Sequence, residues 1–207
     1  MRAETLAMLD RFGVSRETGE RLETYVNLLL TWQQRINLIG PATTTSVWER
    51  HILDSLQLMP LLPRGTQTIA ELGSGAGIPG LVVSIAAGLS AHLYESNGKK
   101  AAFLREAARQ TQTRAEVHMV RLETLKSARD VPKVQCVVAR ALAPLPLLLD
   151  YAEPFLASGA VGLFHKGQDV DAELIEAAKC WKMEYTKHPS QCDRRGVILE
   201  IHEASRV

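Results

Sequence analysis

The stretch ELGSGAGIPG, residues 71–80, holds the densest chemistry in the chain. Gly75, Gly77 and Gly80 match G-x-G-x-x-G, the pattern that seats a dinucleotide pyrophosphate against a helix N-terminus. Shifted by two residues, the same letters give an acid, Glu71, followed by alternating glycines Gly73, Gly75 and Gly77. That arrangement suits a nucleoside that carries no phosphate. A predicted strand over residues 68–72 decides between the two registers. A dinucleotide loop turns at a glycine directly after its strand and needs its third glycine five residues on. Here the turn glycine is Gly73, and the required position is Ile78. The pyrophosphate register fails. An acid ahead of three alternating glycines suits S-adenosylmethionine: the glycines admit close backbone approach, and Glu71 offers a negative charge to an amino group that a pyrophosphate lacks.

A second acid supports a nucleoside. Glu95 ends the next predicted strand, twenty residues beyond Gly75, where a carboxylate can accept both ribose hydroxyls. The alternative for Glu95 is an ordinary solvated strand-end acid.

These residues need elements to hold them. After Pro63, short apolar runs alternate with helical segments, which predicts strand-helix units and a mainly parallel sheet. Strands are expected over residues 68–72, 91–95, 115–120, 134–139 and 160–165, with a helix over GKKAAFLREAARQTQ. CWKMEYTKH and GVILEIH, joined by a polar stretch, predict a closing antiparallel hairpin. Before Pro63 the pattern is helical. Leu22, Tyr25, Val26, Leu29 and Ile36 mark one helix face, with Ser15 as N-cap, and Trp48, Ile52, Leu56 and Met59 mark a second. Residues 1–62 are thus expected as a helical extension and residues 63–207 as the catalytic domain.

Bulk properties set limits. The chain has 207 residues, 24 Lys+Arg against 23 Asp+Glu, and a formal charge of +1, so any nucleic-acid surface must come from local arrangement. Three cysteines without a C-x-x-C pair suggest neither a disulfide framework nor a zinc site. His92, His118, His188 and His202 lack metal-ligand spacing along the chain and are expected to be structural. Glu4 and Asp10 interrupt what a signal peptide would need as an apolar core. The expectation is a cytoplasmic monomer with no metal and no membrane segment.

NLIGPATTTSVWERHILDSL, ELGSGAGIPG, YESNGKKAAFLREA, VVARALAPL and HKGQ, in this order, resemble the RsmG family, formerly GidB, over about residues 25 to 170. The last 35 or so residues resemble it weakly. The resemblance implies a Rossmann-like class I S-adenosylmethionine-dependent methyltransferase with a seven-stranded, mainly parallel sheet. It further implies transfer to N7 of one guanine in 16S rRNA of the small ribosomal subunit, with S-adenosylhomocysteine as product. Cofactor contacts carried over by motif fall at Gly73, Ile78, Leu122 with Glu123, and Arg140. Glu71 and Glu95 stand where many relatives have aspartate, a change of reach and not of charge.

The residues narrow the acceptor independently. Exocyclic-amine methylation usually shows Asn or Asp before Pro-Pro and an aromatic after the fourth strand; this chain has ARALAPL there. Pyrimidine C5 chemistry needs a thiolate, and Cys136 sits mid-strand as an inert buried thiol. Guanine N7 carries a lone pair and no proton, so no general base is required. Placement of the base becomes the main task. Candidate placers are His51, Asp54 and Lys166, although Arg50 and Asp54 at i,i+4 equally suit a helix-surface pair. Arg140 is expected to hold the cofactor carboxylate or an RNA phosphate, or else to form a surface ion pair. Lys99, Lys100, Arg105 and Arg109 on one predicted helix, with Lys166, are the RNA-contact candidates; a solvated face is the alternative. Two other readings stay open: a cofactor-binding assembly factor without turnover, and a methyltransferase acting on a different RNA. An NAD-dependent oxidoreductase lacks both the register and a substrate domain.

Overall fold

Five short apolar runs form the parallel part of one sheet: β1 (Thr68–Leu72), β2 (Ser90–Tyr94), β3 (Ala115–His118), β4 (Cys136–Arg140) and β5 (Val161–Lys166). The computed structural model describes residues 3–207, so the first two residues of the expected extension lie outside the described residues. The closing hairpin is β6 (Trp181–Pro189) and β7 (Val197–Arg206), with β7 antiparallel to both β5 and β6. Strand order is β3-β2-β1-β4-β5-β7-β6, and the register between β6 and β7 shifts between Glu184 and Tyr185. The chain runs outward from β1 in one direction and resumes at β4 on the other side. The crevice beyond the carboxyl ends of β1 and β4 is therefore the switch point where open α/β sheets bind ligands.

Helices cover both faces: α1 (Ala3–Asp10), α2 (Arg16–Gln33), the single turn α3 (Asp54–Leu56), α4 (Gly80–Ala87), α5 (Gly98–Gln110), α6 (Leu145–Leu156) and α7 (Val170–Ala177). Ser15 caps α2 by accepting the Thr18 amide, and Asn97 caps α5 by accepting those of Lys99 and Lys100. On one face Leu22, Tyr25 and Leu29 of α2 bury against Val82 and Ile85 of α4, Phe103 of α5, and Ile69 of the sheet. On the other, Leu145, Leu149 and Phe155 of α6 pack with Val137, Phe164, Leu174 and Trp181. Strand residues alternate between the two cores because successive side chains point to opposite faces. Ile69 faces the α2 layer, whereas Ala70 and Leu72 face α6.

The second expected helix is not a regular helix. Residues 41–61 break into a 3-10 segment (Pro41–Ser46), a π-helical turn (Trp48–Leu53), α3, and a second 3-10 turn (Met59–Leu61). An amphipathic stripe implies one wet face, yet every residue from 51 to 58 is buried, including His51, Asp54, Ser55 and Gln57. Residues 51–58 are enclosed on all sides, so tertiary contacts and not period set the winding there; π turns of this kind are frequent at functional sites. Among the described residues, no helix is long and apolar enough to cross a membrane.

One buried contact ties the extension to the glycine loop. The Tyr25 hydroxyl donates to the Ala76 carbonyl at 2.6 Å, and burial raises its pKa well above the usual phenol value. Tyr25→Phe leaves that carbonyl without its partner, at a cost of about 1–3 kcal/mol. Urea unfolding is expected to show that cost with an unchanged m-value; a midpoint equal to wild type would mean the hydrogen bond contributes nothing.

Candidate functional site

The glycine loop turns as its composition requires. Gly73 has φ +63° and Gly77 φ +79°, a region that residues with a Cβ enter at a cost. A Cβ on Gly77 would also lie 2.7 Å from that of Leu81, so this glycine seats the loop on α4. Gly75 differs: a Cβ there would meet only the Gly73 carbonyl oxygen, at 3.8 Å, so its outer side is open.

Glu71 is not where the sequence placed it. Alternation along β1 sends its side chain to the α4 face, beneath the loop, where it is 1% exposed. Its Oε1 accepts the Gly80 amide at 2.7 Å, at the first turn of α4. Burial pushes its pKa up to about 8, against the lowering effect of the Gly80 amide. A Cβ on Gly80 would sit 2.6 Å from that of Glu71, so this glycine is required by the acid. Glu71 therefore clasps the loop from within and does not present a charge to a ligand's amino group.

Glu95 faces outward by comparison. Its Oε2 accepts the Gly75 amide at 2.8 Å and its Oε1 the Asn97 amide at 2.7 Å. It lines a cavity of about 340 Å³ together with Gly73, Gly75, Tyr94, Leu122, Glu123 and the 141–143 loop. Tyr151, also in that wall, donates to Glu123 at 2.9 Å. Ile78 packs against the α2-side core and is not part of the cavity wall. The sequence expectations for Gly73, Gly75, Glu95, Leu122 and Glu123 thus converge on one space, while Glu71, Gly77 and Ile78 lie behind it.

The loop after β4 forms a partition. Ala141 holds φ +50°, a strained value for a residue with a Cβ, and Leu142 reaches over Gly73. Residues 141–143 line the glycine-loop cavity on one side and a second cavity of about 350 Å³ on the other. That second cavity shares Arg140, His165, Lys166 and Gly167 with a third, of about 380 Å³, whose wall adds Arg50, Asp54, Asp193 and Arg195.

Arg140 joins the sheet to the extension. Its guanidinium lies 3.2 Å from the Asp54 carboxylate, donates to the Arg50 carbonyl at 3.0 Å, and contacts His51 Nδ1 at 3.3 Å. Arg50 pairs not with Asp54, as i,i+4 spacing suggested, but with Asp193 on the far hairpin. Burial, then Arg140 and Arg50, lower the His51 pKa to about 4, so the ring is neutral near pH 7. An arginine donates only, which makes Nδ1 the acceptor and leaves Nε2–H to meet Thr43 Oγ1 at 2.8 Å. Asp54 also accepts from Gln57 at 2.7 Å, and His165 Nε2 donates to its backbone carbonyl at 2.9 Å. Asp54 as a whole is 8% exposed. Arg50 and Asp54 therefore line the third cavity with separate partners and do not form a surface pair with each other.

Lys166 is placed differently from expectation. Its side chain is 7% exposed, ion-paired with Glu173 and donating to the Ala143 carbonyl at 3.1 Å. Glu173 also accepts the Leu145 amide, so the pair locks the partition loop to α7. A lysine engaged in this way is not a free cation for RNA. Nor do the four basic residues of α5 form one stripe. Lys99 is exposed and Lys100 lines the glycine-loop cavity, whereas Arg105 donates to the Val117 carbonyl and Arg109 is paired with Glu106 at 2.7 Å. Arg194 and Arg195, at the β6–β7 turn, were passed over as loop polarity; both are exposed, and Arg195 lines the third cavity. The signal was two adjacent arginines next to a glycine, and only the hairpin's fold-back gives them meaning.

The family described as "GidB: rRNA small subunit methyltransferase G" matches residues 18–195. Ribosomal RNA small subunit methyltransferase G of Rhodospirillum rubrum is 51% identical over 193 residues, covering 93% of this chain and 94% of that one. The protein of the same name from Paramagnetospirillum magneticum is 47% identical over 200 residues, covering 96% and 95%. Among solved structures, M. jannaschii TYW2 in complex with AdoMet aligns with TM-score 0.56 at 11% identity, covering 84% of this chain and 80% of that one. TrmN from Thermus thermophilus aligns with TM-score 0.55 at 15% identity, covering 77% and 50%. At such identities the structural likeness concerns the fold, which is that of class I methyltransferases.

The elevated pKa of Glu71 sets a pH dependence. In the unfolded chain the group ionises at the ordinary carboxyl value, so between about pH 4.5 and 8 the folded state binds more protons than the unfolded one. Stability from this group falls as pH rises through that window. Comparing urea midpoints at pH 5.5, 7 and 8.5, wild type is expected to lose ground relative to Glu71→Gln as pH increases. Parallel profiles would assign Glu71 an ordinary pKa.

Proposed function

The chain belongs to the family of ribosomal RNA small subunit methyltransferases G, and from that premise we propose that it transfers a methyl group from S-adenosylmethionine to N7 of a guanine in 16S rRNA. The observation that carries this reading is the 141–143 partition, a wall common to the glycine-loop cavity and to the cavity of Arg140. The glycine-loop cavity fits the cofactor: the open side of Gly75 admits a close ligand, Glu95 keeps lone pairs for ribose hydroxyls after accepting two amides, and Tyr94, Leu122 and Leu142 offer apolar walls to a purine. When bound, the cofactor supplies an electrophilic methyl group on a sulfonium.

The chain's own residues then have one task, to hold a guanine in the Arg140 cavity at the edge of the partition, where N7 can meet the methyl group directly. Two reactants held in near-attack geometry gain on the order of 7–11 kcal/mol. No proton leaves N7, so neutral His51, with Nδ1 occupied by Arg140, serves to fix the guanidinium and not as a base. The product base is cationic, and the Asp54 carboxylate, shared with Arg140, is a buried negative group of that wall. Arg195 at the third cavity is suited to a flanking phosphate. The protein acts in the cytoplasm as a monomer on the small subunit or its RNA.

The test is methylation of 16S rRNA and of small subunits from a strain lacking this activity, with the modified base mapped. Cofactor binding without transfer would select the non-catalytic assembly factor, and a methyl group on another RNA would select the other methyltransferase reading. Arg140→Ala is expected to lower transfer by about tenfold to a thousandfold, roughly 1.4–4 kcal/mol. Because Arg140 lies on the RNA side of the partition, the loss should fall in the RNA term and not in the Michaelis constant for the cofactor. The same variant leaves Asp54 unpaired, so assays belong well below its unfolding midpoint. Wild-type rates with both substrates below saturation would remove Arg140 from the site. Arg195→Glu is expected to weaken RNA binding and reduce the salt slope by about 0.7–0.9 for each phosphate no longer neutralised, with Arg109→Glu near wild type.

A further inference from the structure

His92 on β2 and Glu116 and His118 on β3 line none of the three cavities described above. Twenty-six positions of chain separate the two histidines, so their spacing in sequence hides them. Parallel pairing sets His92 beside Glu116 and Tyr94 beside His118, which brings all four side chains onto one face. His92 Nδ1 lies 2.9 Å from His118 Nε2. The Glu116 carboxylate is 3.6 Å from His92 Nδ1 and 3.8 Å from His118 Nδ1. One donor atom from each residue falls within 4.8 Å of the other two.

We propose that His92, Glu116 and His118 bind a divalent transition-metal ion of the Zn²⁺ class, clipping the outermost strand β3 to β2. Tetrahedral zinc holds nitrogen and oxygen ligands at about 2.0–2.2 Å, which places them roughly 3.3 Å apart. His92 Nδ1 lies 2.9 Å from His118 Nε2 and 3.6 Å from the Glu116 carboxylate, either side of that separation, and the ligand atoms all lie within 4.8 Å of one another, so side-chain rotation can close the set. Two imidazoles with one carboxylate select a d-block ion over Mg²⁺ or Ca²⁺, which prefer all-oxygen sets. Entry is a ligand substitution. Waters leave the ion, the hydrogen between the rings leaves whichever of the two nitrogens carries it, and solvent returns one to the other nitrogen of that ring, so neutral rings lose no net proton. One water completes the tetrahedron. The rings are partly accessible, at 19% and 23%, so an ion can reach them from solvent. Tyr94 stacks on His118 at 4.6 Å between centroids and also lines the glycine-loop cavity, so the ion sits one ring away from that cavity. This inference stands apart from the proposed reaction.

The test uses the full chain without a histidine tag, stripped by chelator and titrated calorimetrically with ZnCl₂. One ion per chain is expected. Glu116→Gln, an exposed substitution that leaves the fold alone, and His118→Gln should each weaken binding by roughly tenfold or more. Co²⁺ should give the visible absorption of a tetrahedral site, absent in both variants. A second imidazole–carboxylate group, His188, Glu200 and His202 on the hairpin, provides the control. Binding unchanged by Glu116→Gln and His118→Gln, binding abolished in a His188→Gln/His202→Gln double variant, or no binding at all would each overturn the assignment.

Discussion

The guanidinium of Arg140 leaves the sheet at the end of β4 and is met by three groups of the N-terminal segment: the Asp54 carboxylate, the Arg50 carbonyl and the His51 ring. Each of those groups is in turn held. Asp54 accepts from Gln57, His51 meets Thr43, and Arg50 reaches Asp193 on the hairpin. A planar donor fork with several fixed acceptors has few alternative geometries. It therefore sets where the irregular 41–61 segment rests, and that segment supplies Arg50 and Asp54 to the wall of the cavity beside Arg140. The irregular winding there follows from this anchoring: polar groups with prescribed partners outweigh a regular hydrogen-bond ladder.

The glycine loop has its own support beneath it. Glu71 under the first turn of α4, Tyr25 reaching the Ala76 carbonyl, and Gly77 seated on Leu81 fix the loop from the core side. Gly75 and Glu95 are left to face the cavity. The work is thus divided between adjacent residues: those behind the loop hold its shape, and those in front line the cavity. The Lys166–Glu173 pair does for the partition what Glu71 does for the loop.

Much of this was legible in the sequence. Short apolar runs bounded by turn residues marked all seven strands, and anchoring the glycines to β1 selected the nucleoside register. Side-chain direction was less legible. Glu71 and Glu95 look alike as strand-end acids, yet alternation on β1 turns one inward, while the other follows its strand and turns back to the loop. Lys166 reads as a rim cation until the return of α7 brings Glu173 to it. His92 and His118 are distant in the chain and adjacent only through strand pairing. In each case the missing information was a long-range neighbour, which no local pattern contains.

The two outer strands of the sheet bear on how this protein behaves among its own copies. A long, flat, uncovered strand is a template for another chain to add to, and so a route to aggregation. β3 offers only four residues to such an approach. β6 is longer at nine residues, but it carries exposed Lys182, Glu184 and Lys187, is offset midway between Glu184 and Tyr185, and ends at Pro189. Exposed charges, a broken hydrogen-bond row and a residue that cannot donate leave an incoming strand without a continuous partner. The same hairpin that bears Arg194 and Arg195 thereby guards the solubility of a sheet that would otherwise end in an open ladder.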